Sequence, residues 1–245
     1  MRKTLSILIL TAICLCAGAQ TIDTTQPRLR HSVTLGIGTG ASAPIPIPNR
    51  ISQMSWTPHL CALAGYNLRY QLAPRYALRT GLQVRHVGMS AEAKVYQMFT
   101  QAIVDDAEVS GYFTGYNETK FNATYISLPL TFTYCLGDKW SFDAGLYAAL
   151  KIQGHFSGAV KDGYIRIDKP TGDKVEVGYE EFDFSDYVNP FDFGLNLSAE
   201  RRISNTISAT LDLSWAFNSC MKSSFRGLEY KMHNIYAIFG LCYKL

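Results

Sequence analysis

The residues whose types could do chemistry are five histidines, the cysteines beyond the N-terminal segment, and an acidic run from Lys161 to Asp186. His31, His59, His86, His155 and His233 form no H-E-x-x-H motif and show no paired metal-ligand spacing, so no metal centre is expected. His86 falls on the outward phase of a predicted strand, near its outer end. A histidine there could serve a lipid-modifying hydrolase, but that chemistry needs a serine and an orienting group within hydrogen-bond reach. No serine is tied to His86 by its spacing, and the sequence leads us to expect neither catalytic residues nor a cofactor. Cys61, Cys135, Cys220 and Cys242 are an even set, which permits disulfides in an exported chain. Their wide spacing, with three of them inside predicted strands, better suits packed thiols. No C-x-x-C pair suggests zinc.

The acidic run holds Asp162, Asp168, Asp173, Glu176, Glu180, Glu181, Asp183 and Asp186 against Lys161, Arg166, Lys169 and Lys174. It lacks the D-x-D-x-D-G pattern of a calcium loop. "GYIRID" and "KVEVGYEEF" flank Lys169-Pro170-Thr171-Gly172-Asp173, the pattern of a hairpin. Glu180 and Glu181 here, with Tyr96, Phe99, Tyr112, Phe113 and Tyr116 of an earlier polar stretch, are candidate contacts for an envelope protein or a glycan. The alternative is that these aromatics pack the loops against one another.

The elements that must position these residues begin with a leader. Arg2 and Lys3 precede an uncharged, largely apolar run from Leu5 to Cys16, and Ala17-Gly18-Ala19 offers a cleavage site, so residues 1–19 read as a signal peptide. The run is shorter than the roughly 20 residues of a spanning helix. Ile13 and Leu15, before Cys14 and Cys16, are too large for a lipid-attachment signal. Residues 20–30 are polar and read as a flexible lead-in, within which Asp23-Thr24-Thr25 resembles a short O-glycan acceptor. Losing Arg2 and Lys3 lowers the formal charge of +3 by two, which leaves no basic stripe for nucleic acid.

From residue 31 onward the dominant signal is strict alternation, the period of a strand with two unlike faces. Ile126, Leu128, Leu130, Phe132, Tyr134 and Leu136 alternate with Tyr125, Ser127, Pro129, Thr131, Thr133 and Cys135. Trp140 to Gln153 and Ile207 to Asn218 repeat the pattern, and weaker copies lie near 31–41, 58–71, 75–88, 190–201 and 234–245. These eight segments are long for a soluble sandwich, whose strands run to about 5–6 residues. They suit a bilayer, where a tilted strand needs roughly 9–11. Short links around Leu72-Ala73-Pro74, Gly137-Asp138-Lys139 and Ile203-Ser204-Asn205 alternate with long ones at 42–57, 89–121, 154–189 and 219–233. Tyr70, Tyr76, Tyr134, Trp140 and Tyr243 gather at the short-link end of the outward faces, and Phe191, Trp215 and Phe217 at the other, as two aromatic girdles would. The inward phase takes the charges: Arg69, Arg79, Arg85, Asp143, Lys151, Asp192, Glu200, Arg202, Asp212 and Lys244. On the lipid face a charge would cost about 2–4 kcal/mol at the midplane. These residues are expected to form an interior network of ion pairs, with an ion pathway as the sharper alternative.

The expected fold is therefore all-β, an eight-stranded antiparallel up-and-down transmembrane β-barrel over residues 31–245, with short periplasmic turns and long extracellular loops. A soluble β-sandwich is the fold-level alternative. The strand "YISLPLTFTY", Tyr125 to Tyr134, the glycine-punctuated "VTLGIGTG", Val33 to Gly40, the leader ending Ala-Gly-Ala-Gln and the closing "IYAIFGLCYKL", Ile235 to Leu245, resemble the Bacteroidetes outer-membrane β-barrel family called PorT-like. More distantly they resemble eight-stranded OmpA-type barrels. The resemblance implies a bacterial outer membrane, with its lipid and the barrel-assembly machinery as partners. The long extracellular loops lead us to expect a structural or interaction role, and the resemblance alone implies an accessory role in secretion or surface assembly. A lipid-modifying enzyme is the reading from a different class.

Overall fold

Strands with one apolar and one polar face hide their backbone groups from lipid only by closing on themselves. The computed structural model describes residues 28–104, 107–225, 227, 228 and 230–245. The leader at 1–19 and the Asp23-Thr24-Thr25 motif lie outside the described residues. Among the described residues ten strands follow in chain order: β1 (Leu29–Pro44), β2 (Ile51–Pro58), β3 (Cys61–Ala73), β4 (Tyr76–Val104), β5 (Ala107–Leu136), β6 (Trp140–Ile167), β7 (Lys174–Asp183), β8 (Phe191–Arg202), β9 (Ile207–Ala216) and β10 (Met232–Lys244). Eight of them close an antiparallel ring in the order β4-β3-β1-β10-β9-β8-β6-β5, with β5 returning to β4. First and last strands pair from Ser32–Lys244 to Pro44–Met232.

The two phases separate as the alternation requires. On β5, Ile126, Leu128, Leu130 and Phe132 face outward and exposed, while Tyr125, Ser127, Thr131 and Thr133 are buried in the lumen. Ile207, Leu211, Leu213 and Trp215 alternate with buried Ser208, Thr210, Asp212 and Ser214 on β9. The apolar side is the exposed side, the inverse of a water-soluble fold. The short links lie where expected; the one after β5 turns on Gly137, whose φ of +61° favours a residue without a Cβ.

Four expectations need correction. The stretches at 89–121 and 154–189 are largely strand: β4 and β5 run on as one hairpin, and β6 continues to Ile167, where it pairs with β7. The hairpin predicted around Lys169–Asp173 is present. The stretch at 42–57 holds β2, which takes over the edge of β4 where β3 leaves off, from Ile51–Val95 to Pro58–Met89. Above the ring, β2, β4, β5, β6 and β7 thus form an open five-stranded sheet on one side of the mouth. Gln153 does not share the inward phase of Lys151: a bulge at Ile152, between the pairs Thr124–Gln153 and Tyr125–Lys151, turns Gln153 outward and brings Phe156 in. The lead-in ends two residues early, since β1 starts at Leu29.

Candidate functional site

Inside the half of the ring nearest the short turns, alternation aims long polar side chains from several strands into one small space. Arg79 donates to Asp143 Oδ2 at 2.8 Å, and Arg69 to Glu200 Oε2 at 2.7 Å. Arg69 also lies 4.0 Å from Asp143, and Lys244 lies 3.4 Å from Glu200. Thr133 donates to the second Asp143 oxygen. Further out, Tyr147 donates to Asp192 at 2.9 Å and Arg85 sits over the Tyr147 ring. Asp212 is as buried as its neighbours, and Lys151 reaches the Val188 carbonyl at 2.8 Å. Arg202 departs from the expectation. It keeps the inward phase but lies exposed at the rim, because β8 ends there and its backbone N–H turns to the Lys139 carbonyl.

Toward the outer mouth the filling becomes apolar. Val87, Met89, Phe121, Phe156, Val188 and Met221 are buried together, with Phe182, Phe184 and Phe225 packed against them. Phe156 contacts Phe121, Phe184 and Phe225 ring to ring. Burial there, reinforced by the Asp192 carboxylate, pushes the Cys220 thiol up to about 12. All four described cysteines are free thiols, and Cys135 alone among them is not fully buried.

The predicted contact residues divide. Tyr96, Glu180 and Glu181 are exposed on the external sheet, and the Tyr179 hydroxyl donates to Glu181 at 2.8 Å. Phe99 and Tyr112 meet edge to face, and Lys94 lies over the Tyr116 ring. Phe113 is no surface contact: it is buried with Val95 and Met98, since it falls on the buried phase of β5. Lys161 ties this sheet together through Glu92 at 3.1 Å and Glu118 at 3.8 Å, and the Glu92 contact holds its ammonium above the usual lysine range. Ser185, donating from hydroxyl and backbone, holds the Asp183 carboxyl below its usual range. Among the described residues, no group of three His, Cys, Asp or Glu is placed to hold a metal ion.

On the outer wall, β4 and β5 end their apolar face with the pair Val84–Ile126. Beyond it the same phase continues with the pairs His86–Thr124, Gly88–Asn122 and Ser90–Lys120, polar except for the covered Gly88. His86 has the Thr124 hydroxyl at 3.0 Å, not a serine. His59, in the link between β2 and β3, is the histidine that finds one. Its Nε2 lies 2.8 Å from Ser90 Oγ and its Nδ1 lies 3.2 Å from Asn122 Oδ1. The three are partly buried. Gly88 makes the meeting possible, since a Cβ there would stand 2.3 Å from Asn122 Oδ1 and 3.3 Å from His59 Cβ. The sequence signal for this cluster is faint, because the partners stand 31 and 63 residues from His59.

A closed eight-stranded ring, apolar outside and charged within, with short turns at one end and tall strands at the other, defines an outer-membrane β-barrel. Residues 19–222 match the family described as outer membrane protein beta-barrel domain, and the chain belongs to that family. It is a protein of the bacterial outer membrane. Among solved structures it is similar to Neisserial surface protein A, at 7% identity over 89% of this chain and 98% of that one, with a TM-score of 0.41. It is also similar to the attachment invasion locus protein Ail of Yersinia pestis, at 9% identity over 89% and 100% of the two chains, with a TM-score of 0.38. At these scores neither likeness bears on its role. No curated protein matches the chain.

Proposed function

We propose that the barrel is an interaction protein whose external sheet meets an envelope protein or a surface glycan. The observation that carries this is the open five-stranded sheet, which stands beyond the lipid band and ends in two edges, β2 and β7. β7 exposes Val175, Tyr179, Glu180 and Glu181, mixing aromatic, apolar and acidic surface as binding faces do. An extended partner can add to such an edge through backbone hydrogen bonds. The filled lumen leaves the outside surfaces as the place of action. A photo-crosslinking residue at Tyr179 or Tyr96 is expected to capture a discrete partner in the native envelope, and one at Leu130 only lipid. Silence at both sheet positions would sink the proposal.

A second reading, an accessory component of a secretion or surface-assembly apparatus, is favoured by the resemblance of Tyr125–Tyr134 to the PorT-like strand. It places the contacts on the periplasmic side. Capture of envelope-machine components from Asp138, in the turn after β5, with nothing captured above the membrane, would favour it over the first.

A further inference from the structure

We propose that His59, Ser90 and Asn122 form the catalytic constellation of an acyl-ester hydrolase on the outer wall, acting on ester-linked acyl chains of outer-leaflet lipids. Three segments converge on it: the β2–β3 link brings the histidine, β4 the serine and β5 the asparagine. The contacts select one tautomer. Asn122 Oδ1 can only accept, so it holds the proton on Nδ1 and leaves Nε2 bare to accept from the Ser90 hydroxyl. Nucleophile, base and orienting group are thus in the order that activates a serine. Lys120 is the register partner of Ser90 on the same outward face, where its ammonium pairs with Glu118 at 3.2 Å.

The location names the substrate class. His86, Gly88 and Ser90 are the first three outward positions of β4 beyond the last lipid-facing residue, Val84. Leu60, next to His59, is 68% exposed and extends apolar surface up to the site. An acyl chain lying along Val84 and Ile126 brings its ester to this level. Ser90 Oγ attacks the ester carbonyl as His59 Nε2 takes the hydroxyl proton. The tetrahedral adduct then expels the alcohol, which leaves with that proton, and Ser90 keeps the acyl group. Water gives a proton to His59 and attacks the acyl-serine, releasing the fatty acid and restoring the hydroxyl. No oxidant, metal or further co-reactant is needed.

The test uses the full chain, purified in detergent, with p-nitrophenyl octanoate as substrate and a fluorophosphonate as covalent probe. The parent should release p-nitrophenol and carry the probe on Ser90, identified by peptide mass spectrometry. Ser90→Ala and His59→Ala should lose about 100-fold or more of the rate, while His86→Ala keeps it. Asn122→Ala and Gly88→Ala disturb the positioning of His59, so they should lower kcat and leave KM unchanged. Heat-dependent gel mobility reports whether each variant is folded. A folded parent with no probe on Ser90, or a Ser90→Ala variant as fast as the parent, would overturn the proposal.

Discussion

Arg69 and Arg79 are register partners on neighbouring strands, and two like charges so placed repel. They stay because Asp143 reaches both, at 4.0 and 2.8 Å, while Glu200 takes up the other side of Arg69. With both Arg79 and Asp143 nearly sealed from solvent, removing the carboxylate leaves buried positive charge without its counter-ion. Asp143→Ala should therefore destabilise the folded barrel by about 3–5 kcal/mol, the cost of breaking a buried pair from one side. Urea unfolding in detergent or lipid measures it, and a loss under about 1 kcal/mol would contradict the account. A double variant that also replaces Arg79 by Met should recover part of the loss, since it removes the buried charge left without a partner. The sorting of these charges was legible in the sequence because lipid forbids them on the other face. Arg202 shows the limit of the rule: phase says which way a residue points, not how far along the axis the wall still encloses it.

At the scale of elements, the eight membrane-crossing strands were visible because lipid on one side and a polar lumen on the other impose a strict two-residue period. Above the membrane that contrast disappears. The outward positions of β4 there are Glu92, Lys94 and Tyr96, and those of β5 include Glu118 and Lys120, so the segments look like polar loops although they pair residue by residue to Val104–Ala107. The cluster of His59, Ser90 and Asn122 was hidden for the same reason, since two of its members lie on strand extensions or next to a strand, β2, that the pattern did not reveal. The bulge at Ile152 offers a test of how register is held. With Lys151 inward and Gln153 outward, removing Ile152 restores an unbroken alternation and should leave a folded barrel. Deleting Leu146 from the middle of β6 should abolish folding, because a one-residue slip would turn Asp143 or its outer neighbours onto the lipid face. Heat-dependent gel mobility distinguishes the two, and equal outcomes would contradict the register argument.

For the molecule as a whole, the lumen is filled in two layers, charged near the periplasm and aromatic at the outer mouth. An interior of eight strands is just wide enough for such side chains. In planar bilayers the purified chain should give no porin-sized conductance steps, and their appearance would revive the ion pathway that the interior charges alone suggest. Its outer rim is uneven. β4 runs some 16 residues past Gly88, roughly 50 Å of strand at about 3.3 Å per residue, whereas β8, β9 and β10 stop near the membrane. Seen by a neighbour diffusing in the same leaflet, the molecule has a front and a back. One approach meets a low sill and the other a standing wall, so collisions differ with heading, and any cluster of these barrels would inherit a sense of direction that a round pore lacks.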